Sequence, residues 1–318
     1  MQRDAAFIIL LMLIRNVDSI KLGGTEERLS EIGLGTWKLG ANEEQEVGAL
    51  SAGLDAGVNF IDTAEIYGTE PIVSKAIKNR RGLFVATKVS PTHFRYDDVI
   101  RSCDASLERL GIKTIDLYQL HWPNSSVPIA ETMGAMEKLV EDGKIRYIGV
   151  SNFSVDEMNE AQEALKRNRI VSNQVEYSML VRDVESGLLE HCKKEHVSVI
   201  AYSPLARGHL LEPKYAKLNE TLADVGKKYG KSVTQVAINW LICKGNVIPI
   251  PKAARKEHVL ELVGSTGWRL SGHDMHALDH FLSAYSRRSL ASVLKPAMHA
   301  HPLVTRAFTW LGSLHTKR

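Results

Sequence analysis

A chain of 318 residues is long enough for one α/β barrel with additional segments, and 44% apolar with 24% charged residues is typical of a soluble globular protein. The net charge of +3 gives no electrostatic reason to expect nucleic acid as the main partner, since such partners select a basic patch or stripe. Cys103, Cys192 and Cys243 are far apart and form no CxxC pair, so no metal site is predicted. Three reduced thiols fit a cytoplasmic protein, which is the expected location.

The first feature along the chain is an apolar run at residues 7–14. It is far shorter than the roughly 20 residues that a membrane-spanning helix needs. No small-x-small cleavage site follows it, so neither export nor a membrane partner is expected. Met12 is an alternative start that would remove residues 1–11 from the mature protein.

Short apolar or β-branched runs then alternate with amphipathic stretches. A β-hairpin is expected first, at residues 19–22 and 28–30 around a Gly23-Gly24 turn. Eight strands are predicted after it, at residues 31–35, 58–62, 84–88, 115–121, 145–150, 171–174, 197–202 and 247–250. Helices between them include residues 97–110, 128–141 and 156–167, the last opened by a capping box of Ser154 and Glu157. Eight strand–helix units predict an α/β fold, a single (β/α)8 TIM barrel.

The ends of the chain complete the predicted architecture. The barrel covers about residues 31–270 of a single domain over residues 1–318, and a C-terminal tail covers residues 271–318. Apolar residues at 303, 304, 307, 308 and 311 have helical spacing, which predicts a C-terminal helical extension. Its amphipathic face would dock on the barrel; a membrane-surface or oligomer contact is the alternative. The sequence indicates no oligomeric state.

The sequence lacks the glycine-rich nucleotide-binding motifs of other folds. No G-x-G-x-x-G lies between a strand and a helix, and no G-x-x-x-x-G-K-[ST] is present, so a Rossmann domain is not predicted. In a barrel, functional groups instead lie at the carboxyl ends of the strands. Polar or aromatic groups follow all eight predicted strands: Thr36-Trp37, Asp62 with Tyr67, Lys88, His121, Ser151-Asn152, Gln174, Tyr202-Ser203 and Pro251-Lys252.

Four of these side chains form a coherent set for proton transfer. Reduction of a carbonyl requires a proton on oxygen, and Tyr67 can donate it if Lys88 lowers a phenol pKa that is normally near 10. A buried Lys88 would need Asp62 as counter-ion, and His121 could donate a second hydrogen bond to the carbonyl oxygen. Taken singly, each has an ordinary structural interpretation, such as a lysine that reaches solvent or a core histidine.

Several runs of sequence in the same order resemble the aldo-keto reductase superfamily over about residues 19–270. They are GLGTW at 33–37, DTAEIYG at 62–68, TK at 87–88, DLYQLHWP at 116–123, IGVSNF at 148–153, QVEY at 174–177 and AYSPL at 201–205. The resemblance implies an NAD(P)H-dependent enzyme that reduces small aldehydes or ketones reversibly. It implies that Tyr67 is the general acid/base, that Lys88 and Asp62 tune it, and that His121 orients the carbonyl.

The resemblance also implies a cofactor site and a substrate pocket. The cofactor-binding residues would be Thr36, Trp37, Asp62, Ser151, Asn152, Gln174, Tyr202, Ser203, Leu205, Gly208, Lys252, Arg255 and Glu261. The substrate pocket would comprise Trp37, Tyr67, His121 and Trp122.

The segment that would grip the 2′-phosphate of NADP departs from the family pattern at Ala253, His258 and Leu262. An arginine fork grips phosphate bidentately and a neutral histidine does not. The resemblance favours NADP(H) over NAD(H), with Lys252 and Arg255 as the cations.

Two other functions remain open at this stage. The first is a cofactor-binding regulatory barrel with little turnover, which would not require the acid/base set. The second is a Schiff-base aldolase with Lys88 as the nucleophile.

Overall fold

The structure, a computed structural model, describes residues 17–286, with side chains described through residue 283. The apolar run at 7–14 and the helix predicted around 303–311 lie outside the described residues. Within the described part, no helix is long and apolar enough to cross a membrane.

Ten strands occur in the described residues, with bounds close to the prediction. They are β1 (Ser19–Lys21), β2 (Arg28–Ser30), β3 (Leu34–Gly35), β4 (Phe60–Asp62), β5 (Phe84–Val89), β6 (Ile115–Leu120), β7 (Ile145–Ser151), β8 (Ile170–Glu176), β9 (Ser198–Tyr202) and β10 (Val247–Pro249). β1 and β2 form the predicted antiparallel hairpin, and β3 to β10 form one parallel sheet in sequence order.

Helices follow the strands of the sheet. They are α1 (Glu43–Asp55), α2 (Glu70–Ile77), α3 (Tyr96–Leu110), α4 (Ile129–Glu141), α5 (Val155–Ala164), α6 (Leu188–Lys194), α7 (Ala216–Tyr229), α8 (Val233–Ile242), α9 (Lys256–Val263) and α10 (Gly272–Ser286). The alternation confirms the predicted (β/α)8 fold.

The sheet closes on itself between β3 and β10. The backbone N–H of Gly33 donates to Pro249 O over 2.9 Å, and that of Gly35 donates to Pro251 O over 3.0 Å. A Cβ at Gly35 would lie 2.6 Å from the carbonyl oxygen of Ile250. Gly35 is therefore required where β3 meets β10, because the backbone of the neighbouring strand comes too close for a side chain.

The hairpin packs against the amino-terminal ends of the barrel strands. Gly23 N donates to Ser198 Oγ at the start of β9 over 2.7 Å. Leu22 and Leu29 belong to a buried apolar cluster with side chains from around the barrel, namely Phe60, Phe84, Ala86, Leu117, Val171, Ile200, Ile248 and Ile250. The opposite end, where the strands finish, is left for functional side chains.

The capping box predicted at α5 is present. The Ser154 hydroxyl accepts from the Glu157 backbone N–H, and the Glu157 carboxylate accepts from the Ser154 N–H. The helix ends three residues earlier than predicted, because Leu165 is already extended. The Glu137 carboxylate accepts the backbone N–H groups that follow, those of residues 166–168. The Glu137 carboxylate thus satisfies backbone N–H groups that make no helical hydrogen bond after α5 has ended.

The chain divides into two units, one that ends at Gly272 and one that begins at His273. The first contains the hairpin and the barrel. In the second, the described part is helical, within α10. The prediction that residues 1–318 form a single domain stays a prediction.

Candidate active site

Consecutive parallel strands bring the four residues predicted for proton transfer, hereafter the tetrad, to one end of the barrel. Asp62 is the last residue of β4, Lys88 lies near the end of β5, and His121 directly follows β6. Tyr67 ends a short 3-10 turn at Glu65–Tyr67, which Gly68 terminates with a left-handed φ of 69°. The chain can therefore reverse at Gly68 and leave the phenol above the strand ends.

Lys88 and Asp62 form a buried ion pair at the base of the site. The Lys88 ammonium donates to Asp62 Oδ2 over 2.6 Å and to the carbonyl oxygen of Thr63 over 2.7 Å. The other carboxylate oxygen, Oδ1, accepts from the amides of Gln174 over 2.8 Å and Gln119 over 3.2 Å. Both charges are thus paired and hydrogen-bonded, which is the condition for burying them.

Tyr67 and His121 face each other above this pair. The Tyr67 hydroxyl lies 3.2 Å from His121 Nε2, and the two rings meet edge to face with centroids 5.4 Å apart. The Lys88 ammonium lies 5.0 Å from the centroid of the Tyr67 ring. The structure therefore brings all four predicted residues into one cluster.

The electrostatics of the cluster differ from the prediction in one respect. The pKa of Tyr67 is raised well above its usual value, first because the phenol is desolvated and then because the negative charge of Asp62 opposes a phenolate. The net shift is thus opposite to the lowering that the sequence predicts, because burial of the phenol and the charge of Asp62 set its direction. The effect of Lys88 on a Tyr67 phenolate stays a prediction. At neutral pH Tyr67 carries its proton.

His121 and Lys88 are also shifted by burial. The pKa of His121 lies well below its usual value because the ring is desolvated and because Lys88 carries a nearby positive charge. The imidazole is consequently neutral at physiological pH. Desolvation lowers the pKa of Lys88, and its attraction to Asp62 opposes that shift.

The amide and hydroxyl groups at the ends of β7, β8 and β9 form a second connected set. Ser151 Oγ donates to Gln174 O over 2.9 Å, and Asn152 Nδ2 donates to His121 O over 3.1 Å. The Tyr202 hydroxyl donates to Asn152 Oδ1 over 3.0 Å. Asn152 has a left-handed φ of 63°, a conformation that asparagine adopts more readily than most residues with a side chain.

The two predicted residues that follow β3 lie in different environments. Thr36 is buried, and its hydroxyl donates to the carbonyl oxygen of Asp62 over 3.0 Å. Trp37 is 40% exposed, and two cations lie near its ring, Lys38 Nζ at 4.5 Å and the Arg207 guanidinium at 5.5 Å from the centroid. Trp122, which follows His121, is partly buried.

The loop after β9 has an unusual backbone. Ser203, Ala206 and Arg207 have φ values of 50°, 49° and 58°, and Gly208 has 90°. Left-handed conformations of residues with side chains cost free energy and concentrate at ligand-binding loops. Leu205, also predicted to bind cofactor, lies within this loop and is partly buried.

The segment predicted to grip a phosphate is on the surface. Lys252 and Arg255 are exposed, and Arg255 Nη2 lies 3.0 Å from His258 Nε2, on the first turn of α9. The Glu261 carboxylate accepts from Ser232 Oγ over 2.9 Å.

Two residues that bind the tetrad or its loops, Gln119 and Glu65, were not predicted from the sequence. Gln119 binds Asp62 from within β6, and Glu65 binds the loop after β5 from the Tyr67 turn. Gln119 is a detectable signal, since a buried amide in a barrel strand needs partners. Nothing in the sequence distinguishes Glu65 from an exposed carboxylate.

Comparison with known proteins places the chain in a family. The family model for the aldo/keto reductase family matches residues 31–283. Methylglyoxal reductase YeaE of Escherichia coli is 38% identical over 258 residues, 79% of this chain and 90% of the relative. Glyoxal reductase of Bacillus subtilis is 35% identical over 266 residues, 82% and 92% of the two chains.

Solved structures agree with these sequence relatives. A thermostable aldo-keto reductase in complex with the inhibitor epalrestat superposes with a TM-score of 0.78 at 42% identity, covering 83% of this chain and 99% of that one. An aldo/keto reductase from Klebsiella pneumoniae in complex with NADP and acetate gives a TM-score of 0.75 at 36% identity, with 83% and 96% covered.

A closed (β/α)8 barrel with these strand-end groups defines an oxidoreductase of the aldo-keto reductase type. The chain belongs to the aldo/keto reductase family. The expectation of an NAD(P)-dependent enzyme of carbonyl reduction is confirmed at this general level.

Proposed function

We propose that the protein reduces small aldehydes or ketones to alcohols with NADP(H), in a reversible reaction in which Tyr67 is the general acid/base. The observation that carries this proposal is the position of the Tyr67 hydroxyl, 3.2 Å from His121 Nε2 and above the buried Lys88–Asp62 pair. A carbonyl oxygen placed beside both side chains accepts hydrogen bonds from the phenol and from Nε2–H of His121.

The proton transfer follows from this geometry. When bound, the reduced nicotinamide would supply a hydride to the carbonyl carbon. Tyr67 gives its proton to the substrate oxygen. The resulting phenolate lies near the Lys88 ammonium, whose positive charge stabilises it. Asp62 keeps Lys88 charged despite complete burial, and Gln119 and Gln174 hold the carboxylate in place.

The polar groups at the strand ends fit an extended nicotinamide dinucleotide. Ser151, Asn152 and Gln174 carry the amides and hydroxyl that match a carboxamide, and Tyr202 offers an aromatic face for the nicotinamide ring. Ser203, Leu205 and Gly208 form the loop for the pyrophosphate, beside Thr36, Trp37 and Asp62. Lys252 and Arg255 supply cations for the 2′-phosphate, and Glu261 lies further along the same segment, on α9, so we propose NADP(H) rather than NAD(H). The NADP and NADPH in Klebsiella pneumoniae aldo-keto reductase structures support this choice.

The substrate is a small carbonyl compound. Trp37 follows β3 and Trp122 follows His121 after β6, so both stand at the carboxyl ends of strands and are the aromatic side chains proposed to line the pocket. The names of two relatives, methylglyoxal reductase and glyoxal reductase, support a small dicarbonyl as the first compound to test.

The burial of Lys88 disfavours the aldolase alternative. A Schiff-base lysine must be accessible to a carbonyl carbon, whereas the Lys88 side chain is 0% exposed and paired with Asp62.

The test is the loss of reduced-nicotinamide absorbance with methylglyoxal, glyoxal and a panel of other aldehydes, for wild type and Tyr67→Phe. We expect wild type to oxidise NADPH and the variant to lose about 100-fold or more of kcat while it keeps its affinity for NADPH. Binding of NADPH without turnover of any substrate would instead favour the regulatory barrel. An unchanged kcat in Tyr67→Phe would overturn the role of Tyr67.

A further inference from the structure

The two chain segments that carry Tyr67 and Lys88 meet at one carboxylate oxygen. Glu65 lies two residues before Tyr67, on the same 3-10 turn. Its Oε1 accepts a short hydrogen bond from the backbone N–H of Ser90, two residues after Lys88. The same atom lies 2.9 Å from Nδ1 of His93. A single oxygen thus joins the tyrosine turn to the loop that follows the lysine strand.

The loop on the other side of this contact is itself held in place. Ser90 caps a second 3-10 turn, Pro91–His93, through its side chain. His93 Nδ1 is also 3.1 Å from Ser102 Oγ on α3, and Asn124 Nδ2 donates to Pro91 O over 2.7 Å. Asn124 lies three residues after His121. Its hydrogen bond to Pro91 O therefore also joins the loop that binds Glu65 to the segment that carries His121.

Glu65 has the environment of a structural anchor. Its side chain is only 9% exposed, although it lies in a turn at the mouth of the barrel. The turn that Glu65 begins has no hydrogen bond from a side-chain cap. A carboxylate that accepts from a backbone N–H and from an imidazole orders both groups strongly.

We propose that Glu65 is a positioning residue for the acid/base chemistry: it fixes the Tyr67 hydroxyl relative to Lys88 and His121 by clamping the tyrosine turn to the loop after β5. The Glu65 carboxylate touches neither substrate nor cofactor in this role. It acts through Ser90 and His93, and its removal allows the turn to shift while the barrel stays folded. A displacement of about 1 Å at a reacting group can cost about 100-fold in rate. This inference rests on the proposed function.

Two variants of nearly equal size separate positioning from general stability. Both contacts end on one oxygen, so Glu65→Gln can present its carbonyl oxygen to the same two donors. Glu65→Met has a similar length and no acceptor. We expect Glu65→Met to lose about tenfold or more of kcat with methylglyoxal and NADPH, and Glu65→Gln to restore most of it. The dissociation constant of NADPH, measured by fluorescence titration, should be unchanged in both.

A third variant keeps the test valid if Glu65→Met does not fold. His93→Ala removes one of the two donors from a half-exposed position, so the fold should survive. We expect it to lower kcat several-fold with little change in KM or in melting temperature. Wild-type kcat in folded Glu65→Met, or in His93→Ala where Glu65→Met is unfolded, would overturn the inference. A wild-type protein that turns over no carbonyl would instead overturn the proposed function.

Discussion

The ammonium group of Lys88 donates to the carboxylate of Asp62 over 2.6 Å where the two side chains are 0% and 2% exposed. Isolated charges at such depth would be very costly, and mutual pairing offsets that cost only with good geometry and further hydrogen bonds. Thr63 O, Gln119 and Gln174 supply these bonds. The pair therefore keeps a positive charge beneath Tyr67 without access to water.

Removal of one member of the pair should be costly to both stability and turnover. We expect Lys88→Met to lower the free energy of unfolding by about 3–5 kcal/mol, because a buried carboxylate loses its counter-ion. It should also lose nearly all turnover, because nothing then stabilises the Tyr67 phenolate. Urea unfolding and NADPH oxidation measure the two effects.

The double variant Lys88→Met/Asp62→Asn is the control for this experiment. With no buried charge left, it should recover part of the stability and none of the activity. Recovery of turnover in the double variant would show that the lysine charge is not needed for the reaction.

The raised pKa of Tyr67 predicts an uneven pH dependence for the two reaction directions. Reduction needs the protonated phenol, which persists below the raised pKa, so kcat for reduction should stay constant from about pH 7 to about pH 9. Alcohol oxidation needs the phenolate and should speed up with rising pH across the same range. His121 is already neutral there and adds no transition. A fall in the reduction rate centred between these pH values would show that Lys88 lowers the pKa of Tyr67 after all.

The tetrad could be predicted because its members sit at strand ends, where a linear pattern of apolar runs fixes their position. Asp62, Lys88 and His121 follow this rule, and the structure brings them together. The pKa of Tyr67 could not be predicted, since its direction depends on how completely the phenol is desolvated and on which charge Lys88 pairs with. Glu65 was missed because it lies in a turn and its partners Ser90 and His93 lie in a loop, where no pattern of apolar runs fixes which groups meet.

The choice between NADP(H) and NAD(H) should depend on Arg255. A charged hydrogen bond to a phosphate contributes about 1.5–3 kcal/mol, so Arg255→Ala should weaken NADPH binding about tenfold or more and leave NADH binding unchanged. Lys256→Ala, which removes a neighbouring exposed cation, is the matched control for net charge. Equal losses for NADPH and NADH, or equal losses in the two variants, would contradict a specific phosphate contact at Arg255.

The seam of the barrel offers a test of the fold that is independent of catalysis. A methyl group at Gly35 would meet the Ile250 carbonyl oxygen at 2.6 Å, and the strands cannot separate without loss of the bond from Gly35 N to Pro251 O. We expect Gly35→Ala to destabilise the protein by about 1–3 kcal/mol. Gly48, within α1, has open space around it, so Gly48→Ala should instead stabilise by about 0.5–1 kcal/mol. Thermal unfolding of both variants measures the difference, and a Gly35→Ala protein as stable as wild type would show that β3 and β10 are not held together as closely as the structure places them.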